Sequence, residues 1–419
     1  MFFNILNFYK RKVIKLFGVT FYSKSIYRFK IVRKFLFLTI TTPNYATITT
    51  LSDRVTKLEQ QHINDKSMLI SMLNQNILKS KFVHFVNNDK FIQPYISLIN
   101  SHFDNNEHIF LCKYQQNYLP FPKGNNVYQI ADKDIYILNF AKHNKFIVQS
   151  FHDAEILNFL YKNKDILSRT AWFLWGGDLY NARRNEIEDT VKKIVPIISC
   201  CVEEDYHNAV KVFGGKHIYV KATVPSPIDR TTVLKYQNKS NSRHPIKIQI
   251  NNSANKTTIE MLNILSKFKD ENISISTILS YGDLTYKQEI IEVGTRIFGS
   301  KFNYLDKYMS GDDYTKILAD NDILVMYQNR QEGLGNIVTS LALGCKCFIR
   351  HDISSLSLLK ELGLEAFDSR EIEKLTFEEL KEYSVNIKET NMQNAIKVFD
   401  EEYLAKQWND LFNELEKLK

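Results

Sequence analysis

The chain has 419 residues and a hydrophobic fraction of 44%, which suits two domains and excludes wholesale disorder. Its formal net charge of +8 would favour nucleic acid as a partner if the charge covered a broad face. However, nine basic residues and no acidic residue fall between Met1 and Ser52, so 46 basic residues remain to balance all 47 acidic ones. The rest of the chain is nearly neutral, and we expect no nucleic-acid partner.

The first 50 residues combine this positive charge with aromatic and aliphatic side chains such as Phe2, Phe3 and Ile5. Apolar groups can enter the headgroup boundary of a bilayer while cations meet anionic lipid, so residues 1–50 are predicted to associate with a membrane. A flexible basic tail without a partner is the alternative. No apolar run approaches the ~20 residues of a membrane span, and no signal-peptide pattern follows Met1, so a cytoplasmic location is expected.

Residues 51–80 show a helical apolar pattern in which Leu51, Val55 and Leu58 share a face. The pattern predicts a helix or a short coiled coil, and residues 51–78 could mediate oligomerisation. A simple spacer is the alternative.

From residue 81 onward, apolar strands alternate with helices, which predicts parallel sheets covered on both faces. The expected domains are residues 81–222 and 246–400, joined by an irregular linker at 223–245 and followed by a C-terminal helix at 401–419. The strands of the first domain are predicted at 82–86, 108–112, 146–150, 171–175, 196–202 and 217–221. Those of the second are predicted at 246–250, 273–279, 322–327 and 345–350, and the last two helical segments at 371–383 and 392–418. Two such domains would face each other across a cleft, with ligands at the carboxyl ends of the strands.

The segment 330–336 follows an apolar strand and opens a helix. Gly333 and Gly335 would let the backbone approach a ligand, and the free N–H groups of the helix start would attract a phosphate. Arg330 could pair with a diphosphate through two hydrogen bonds. A tight turn without a ligand is the alternative.

A second motif joins a buried strand to Gly176, Gly177 and Asp178. Enzymes with parallel sheets place reacting side chains at such strand ends, so Asp178 could act as a base or hold a substrate hydroxyl. A turn or helix cap is the alternative. His152 follows the strand at 146–150 and is the best-placed imidazole, although a structural histidine fits there too.

The turn after the first strand of the second domain carries Asn251, Asn252 and Ser253. Short polar side chains there could hold a phosphate or a ribose, and capping of the next helix explains them equally well.

These motifs resemble the TDP-N-acetylfucosamine:lipid II N-acetylfucosaminyltransferases of enterobacterial common antigen assembly. The matching segments, in the family's order, are 151–152, 175–180, 252–254, 279–283 and 330–336. The resemblance implies an α/β fold of the GT-B type, two Rossmann-like doubly wound domains facing a cleft, here preceded by a basic and helical N-terminal extension. It also implies peripheral attachment to the inner membrane, a TDP-sugar donor held mainly by the second domain, and a polyprenyl-diphosphate-linked acceptor held mainly by the first. No metal or cofactor is expected.

The resemblance and the motifs together give the candidate site. The catalytic candidates are Asp178 and His152. The substrate-binding candidates are Trp175, Gly176, Gly177, Tyr180, Asn252, Ser253, Tyr281, Gly282, Arg330, Glu332, Gly333, Gly335 and Asn336. The expected reaction is transfer of a deoxyamino sugar such as N-acetylfucosamine in the synthesis of common antigen, O-antigen or capsule. A GT-B transferase with a UDP-sugar donor, or a non-catalytic subunit that recruits a pathway complex, is the alternative.

Overall fold

The computed structural model describes the backbone of three N-terminal strands and most of the chain from residue 75 onward. The described residues are 4–8, 11–16, 19–23, 71, 73, 75–113, 119–141, 143–237, 245–251, 256–280, 283–307, 309 and 311–419. They divide into two compact units, Met1–Gln75 and Asn76–Lys419.

The first unit contains a three-stranded antiparallel sheet. Its strands are β1 (Asn4–Phe8), β2 (Arg11–Leu16) and β3 (Val19–Ser23), in that order. Asn4 pairs with Lys15, and Lys12 pairs with Ser23. Most of the helix predicted at 51–80 lies outside the described residues, and residues 75–79 are helical.

The second unit begins with a seven-stranded parallel sheet. Its strand order is β10-β9-β8-β7-β4-β5-β6. The strands are rich in apolar residues, as expected for a parallel sheet that helices cover on both faces. They are β4 (Phe82–Asn87), β5 (His108–Lys113), β6 (Val127–Ile130), β7 (Lys145–Gln149), β8 (Thr170–Phe173), β9 (Ile197–Cys200) and β10 (Ile218–Lys221). The helices between them are α1 (Ile92–His102), α2 (Ala154–Lys162), α3 (Lys164–Leu167), α4 (Gly176–Tyr180), α5 (Glu186–Ile194) and α6 (Glu203–Phe213).

The segment predicted to be an irregular linker contains a helix, α7 (Arg230–Tyr236). The irregular conformation predicted for this part was wrong, because Asp229 caps the helix, accepting a hydrogen bond from the Thr232 amide, and Val233 is buried in the core of the second domain.

A six-stranded parallel sheet forms the second domain, in the order β13-β12-β11-β14-β15-β16. Its strands are β11 (Ile246–Ile250), β12 (Ile273–Ile278), β13 (Phe302–Leu305), β14 (Ile323–Val325), β15 (Lys346–Ile349) and β16 (Phe367–Asp368). Its helices are α8 (Thr258–Leu265), α9 (Leu284–Phe298), α10 (Gly311–Ala319), α11 (Leu334–Ala342), α12 (Ser355–Glu361), α13 (Phe377–Lys381) and α14 (Val385–Ala395). Two parallel-sheet, Rossmann-like domains confirm the predicted fold class.

The last helix, α15 (Glu401–Lys417), returns to the first domain. Its Trp408 is fully buried, donates a hydrogen bond to the Thr223 carbonyl at 3.0 Å, and lies against the ring of Tyr95. The continuous helix predicted at 392–418 is interrupted, because the Asp400 carboxylate caps α15 by accepting from the Tyr403 amide. The described residues contain no helix that is long and apolar enough to span a bilayer.

Candidate functional site

Two neighbouring strands of the first sheet, β7 and β8, carry the catalytic candidates at their carboxyl ends. Ser150, directly after β7, has a backbone φ of 82°, which is uncommon for a residue other than glycine. Its hydroxyl donates to Oδ1 of Asp178 at 2.5 Å. The hydrogen bond from Ser150 therefore links the end of β7 to the segment that follows β8.

Asp178 is fully buried in the short helix α4. Besides the Ser150 hydroxyl, its carboxylate accepts from Nε1 of Trp172 and from the Trp175 amide, both at 3.1 Å. The sequence interpretation allowed Asp178 to contact a substrate hydroxyl directly. The structure leaves this carboxylate no exposed surface for that contact.

His152 lies between Asp178 and solvent. Its Nε2 is 3.6 Å from Oδ1 of Asp178, and 40% of its side chain is exposed. A Cβ on Gly177 would come within 2.7 Å of that nitrogen, so the imidazole occupies the space that glycine leaves open. An exposed imidazole beside a buried carboxylate is the arrangement of a base and its orienting group.

Gly176 lies where the two domains meet. A Cβ on Gly176 would lie 2.5 Å from Oε1 of Gln331, a residue of the second domain. Trp175, at the start of the same segment, donates from its indole nitrogen to Oε1 of Gln149 at 3.1 Å. Trp175 is therefore tied to the sheet, whereas Gly176 borders the cleft.

Tyr180 joins the two domains through its hydroxyl. It donates to Oδ1 of Asp205 at 2.7 Å and lies 3.2 Å from the hydroxyl of Ser354 in the second domain. The Ser354 hydroxyl also donates to Asp205, at 2.5 Å. Burial raises the pKa of the Asp205 carboxyl and that of the Tyr180 phenol. In this structure the Tyr180 hydroxyl makes a contact between the domains, and its substrate-binding role stays a prediction.

Arg330 reaches across the same boundary. Its Nη1 donates to the Asn181 side chain at 2.9 Å, and its guanidinium lies 5.8 Å from the ring centroid of Tyr180. Nε lies 3.8 Å from Oε2 of Glu332, beyond hydrogen-bond distance. The guanidinium thus lies at the contact between the domains, with the carboxylate of Glu332 beside it.

Helix α11 begins next to this arginine. Its N-cap, Gly333, has a φ of 67°, a backbone conformation that favours glycine, and a Cβ there would lie 2.5 Å from the flexible end of the Met326 side chain. A Cβ on Gly335 would meet nothing within 4 Å. Asn336 donates to the side chain of Asn251 at 2.9 Å, which ties the helix start to the end of β11. The first turn of α11 contains no acidic residue. The amides of Asn336 and Ile337 donate to the Gly333 carbonyl, so an anion at the helix start would meet the amides of Leu334 and Gly335.

Three of the predicted site residues, Gly176, Tyr180 and Arg330, therefore lie at the contact between the two domains. Four candidates, Asn252, Ser253, Tyr281 and Gly282, lie outside the described residues. Among the described residues, no group of three His, Cys, Asp or Glu side chains is placed to hold a metal ion.

Sequence reasoning missed several residues that this geometry makes important. Gln331 lies inside the motif at 330–336 and could have been found by its position between Arg330 and Glu332. No local signal identifies Asp205, which resembles an ordinary acidic residue in the first turn of α6. Asn181 and Ser354 are equally inconspicuous in the sequence, because their roles depend on contact between the two domains.

No protein-family model matches the chain, and no curated protein matches its sequence. Solved structures do match. A trehalose-6-phosphate structure from E. coli bound with UDP-2-fluoro glucose is 11% identical, with a TM-score of 0.56 over 81% of this chain and 99% of the other. A UDP-forming trehalose-phosphate synthase from Burkholderia xenovorans is 10% identical, with the same TM-score and coverage.

An O-GlcNAc transferase mutant from Thermobaculum terrenum is also similar, at 11% identity and a TM-score of 0.55 over 81% of this chain and 68% of the other. Identities this low establish the fold alone. The chain has the GT-B fold of these glycosyltransferases.

Proposed function

We propose that the protein is a glycosyltransferase that moves a deoxyamino sugar from a TDP-sugar to a polyprenyl-diphosphate-linked saccharide. The observation that carries this proposal is that a candidate base on the first domain and a candidate diphosphate-binding group on the second domain lie near the contact between the domains. The imidazole of His152, backed by the buried Asp178, lies on the first domain. Arg330 and the free start of helix α11 lie on the second, and Gln331 touches Gly176 between them.

The arrangement supports a displacement at the anomeric carbon of the donor. An acceptor hydroxyl forms the new C–O bond while the bond from that carbon to the diphosphate oxygen breaks. Nδ1 of His152 takes the hydroxyl proton, because Nε2 faces Asp178, and the carboxylate stabilises the resulting imidazolium. Arg330 and the N–H groups of α11 neutralise the charge that develops on the departing TDP.

The finer parts of the proposal rest on the motif resemblance. They are the TDP-sugar, the N-acetylfucosamine-like group, the lipid-linked acceptor, the surface-polysaccharide pathway and peripheral attachment to the inner membrane. The nine cations within residues 1–52 support binding to an anionic membrane surface. Oligomerisation through residues 51–78 stays a prediction.

A UDP-sugar donor is the second candidate. It is favoured by the similar E. coli structure, which is bound with UDP-2-fluoro glucose. A non-catalytic recruiting subunit would share the fold without turnover.

The experiment is release of free nucleotide when the full chain is incubated with a panel of TDP-sugars and UDP-sugars. Release from a TDP-sugar that rises on addition of a lipid-linked saccharide supports the proposal. Release from UDP-sugars alone would favour the second candidate. Absence of release from every donor, with a folded protein, would contradict enzymatic function.

A further inference from the structure

Lys192 is a fully buried cation in helix α5, and the proposed reaction does not use it. Its Nζ donates to Oε1 of Glu188, one turn earlier in the helix, and to the backbone carbonyl of Asp178, both at 2.6 Å. Glu188 is buried as well. Apolar residues of similar volume can often replace a buried ion pair with little loss of stability, so the pair by itself is weak evidence of a stabilising role. Its contact with Asp178 indicates a more specific one.

We propose that Lys192 is a positioning residue, which holds helix α4 by the Asp178 carbonyl and so keeps the Asp178 carboxylate directed at His152. The consequence for catalysis rests on the proposed function, whereas the hold on α4 does not depend on any reaction.

Helix α4 needs a partner outside itself because it is very short. It has five residues, Gly176–Tyr180, and a single turn of helix forms too few hydrogen bonds to offset the conformational freedom that it loses. The last carbonyls of a helix also lack donors within it. The Asn181 amide donates to the Gly177 carbonyl at 2.9 Å. The next carbonyl, that of Asp178, accepts from the Lys192 ammonium, and a positive charge is favourable at this end of a helix.

Asp178 connects the two ends of α4. Its Oδ2 accepts from the Trp175 amide at 3.1 Å at the start of the helix, while its carbonyl accepts from Lys192 near the end. Trp172 donates from Nε1 to the same Oδ2 at 3.1 Å, and its ring centroid lies 5.2 Å from Nζ of Lys192. A shift of the main chain at Asp178 would therefore move the carboxylate away from the imidazole, whose Nε2 is 3.6 Å from Oδ1. Misplacement by about 1 Å can lower a rate by about 100-fold.

The partner of Lys192 supports the backbone of His152. Oε2 of Glu188 accepts from the Arg183 amide at 3.1 Å, and Nη2 of Arg183 donates to the His152 carbonyl at 3.4 Å. Glu188 and Lys192 are four residues apart, which places them on one face of α5. Helix α5 thus contacts the segment that carries the carboxylate and, through Arg183, the segment that carries the imidazole.

The first measurement is the rate at which the indole N–H groups exchange in deuterated water, followed by NMR of the full chain with isotope-labelled tryptophan. Trp172 reports on α4 through its hydrogen bond to Asp178. Trp408 is the internal reference, because it is also fully buried and donates instead to the Thr223 carbonyl, at 3.0 Å. Lys192→Met should speed exchange at Trp172 by at least about tenfold relative to Trp408, since a local opening exposes only the groups near it.

Two further variants complete this measurement. Lys193→Met is the matched control, since it makes the same substitution at the exposed neighbour in α5, and it should leave both exchange rates unchanged. Lys192→Met combined with Glu188→Gln leaves no buried charge without its partner and keeps an acceptor for the Arg183 amide. This double variant should also speed exchange at Trp172, and it carries the test if Lys192→Met alone does not fold.

The second measurement is a double-mutant cycle on turnover. Lys192→Met should lower kcat by at least about tenfold with KM nearly unchanged, because it displaces a group that acts in the transition state. In the Asp178→Asn chain the same substitution should have little further effect, since the carboxylate that Lys192 positions is already absent.

The outcomes are distinct from those of the nucleotide-release experiment. Equal acceleration of exchange at Trp172 and Trp408 would overturn the inference, because it would show a general loss of stability. Unchanged exchange at Trp172, or additive effects on kcat, would overturn it as well. Faster exchange confined to Trp172, in a chain that releases nucleotide from no donor, would support the hold on α4 and contradict the proposed transferase function. Nucleotide release with unchanged exchange at Trp172 would do the reverse.

Discussion

Nε2 of His152 lies 3.6 Å from Oδ1 of Asp178, across the space left by the missing side chain of Gly177. The carboxylate is fully buried and accepts from Ser150, Trp172 and Trp175, so its position is fixed before any substrate arrives. The imidazole is partly exposed and can meet a substrate. This pairing is the observation on which the proposed role of His152 as a base rests.

His152→Ala should lower turnover by about 100-fold or more, the usual scale for loss of a general base. Donor affinity should stay nearly unchanged, because the imidazole belongs to the opposite domain from Arg330. The measurement is kcat and KM at a temperature well below the unfolding transition. His207→Ala, at an exposed imidazole on α6, is the control and should keep normal turnover. Normal turnover in His152→Ala would refute this assignment.

Asp178→Asn should lower both turnover and stability. The new amide nitrogen cannot accept a hydrogen bond, so one of the buried donors around it loses its partner, at a cost of about 1–3 kcal/mol. We expect turnover per folded molecule to fall as well, because the imidazolium loses its compensating charge. Denaturant unfolding and kinetics on the same preparation separate the two effects. A loss of stability with an unchanged rate would leave Asp178 a purely structural role.

Arg330→Ala should weaken donor binding by at least about tenfold, because a charge-assisted hydrogen bond contributes ~1.5–3 kcal/mol. Asn181→Ala is a second variant to compare, because it removes the side chain that Arg330 contacts but keeps the arginine itself. Calorimetric titration with TDP and UDP measures both. Arg296→Ala, at an exposed arginine on α9, serves as the control. Equal affinity in Arg330→Ala and Arg296→Ala would contradict the proposed diphosphate contact.

Gly335→Ala tests whether the glycine at this position serves ligand binding or folding. The new Cβ meets no protein atom within 4 Å, and alanine favours a helix over glycine by about 1 kcal/mol, so the variant should be at least as stable. If a diphosphate approaches this backbone, the methyl group should nevertheless weaken nucleotide binding. Gly333→Ala should instead lose stability, because of its positive φ and the nearby Met326. Unaltered nucleotide affinity in a stable Gly335→Ala would argue against this approach.

The sequence predicted the parts of the fold that depend on local pattern. Strongly apolar strands such as β5 and β14 were found, whereas the edge strands β6, β13 and β16 were missed. Edge strands pair on one side only and tolerate polar residues, as Gln129 and Asn303 illustrate. The periodicity that identifies buried strands is therefore weak in them.

The candidate site, too, could be predicted only where it depends on local sequence pattern. The sequence placed His152 and Asp178 each after the end of a strand, and the structure shows that these strands, β7 and β8, are neighbours in the sheet. The sequence did not predict that Asp178 is buried, which depends on Ser150 and its left-handed backbone. Tyr180 is a predicted substrate contact through the motif at 175–180, and the sequence did not show its contacts with Asp205 and Ser354, because these residues are distant in sequence. Contacts between domains leave no periodic signal.

Deleting residues 1–52 should release the protein from anionic vesicles, because these residues hold nine cations and no carboxylate. Each cation near the surface contributes about 1 kcal/mol, and the attraction weakens as salt screens it. Cosedimentation with vesicles rich in phosphatidylglycerol, at low and high salt, measures the effect. Vesicles of phosphatidylcholine alone are the control. Equal binding of the full-length and truncated chains would exclude this segment as the membrane contact.

Stability should fall as the pH drops from about 6.5 towards 4, because of two buried histidines in the first domain. His84 contacts the Tyr95 hydroxyl at 2.6 Å through Nδ1 and His108 at 2.9 Å through Nε2. Burial lowers the pKa of His84 well below its usual value of 6.5 and that of His108 to about 4.

Both imidazoles therefore stay neutral in the folded chain at a pH where they are protonated in the unfolded chain. Their contribution is fully present above pH 6.5 and declines by about 1.4 kcal/mol per pH unit for each histidine. The decline attributable to His108 ends near pH 4, where it is protonated in the folded chain as well. Burial raises the pKa of the Asp205 carboxyl, which works in the opposite direction at the acidic end of this window.

Denaturant unfolding of the full chain at half-unit steps from pH 8 to pH 4 measures this dependence. Replacing both residues, as His84→Leu with His108→Leu, should flatten the curve between pH 6.5 and 4. His207→Gln should not change it, since that imidazole is 65% exposed. Should the double variant fail to fold, an NMR titration of His108 in the unaltered chain gives the same information. A titration midpoint near 6.5 for that ring would contradict the assignment, because a neutral, buried pair requires the lowered value.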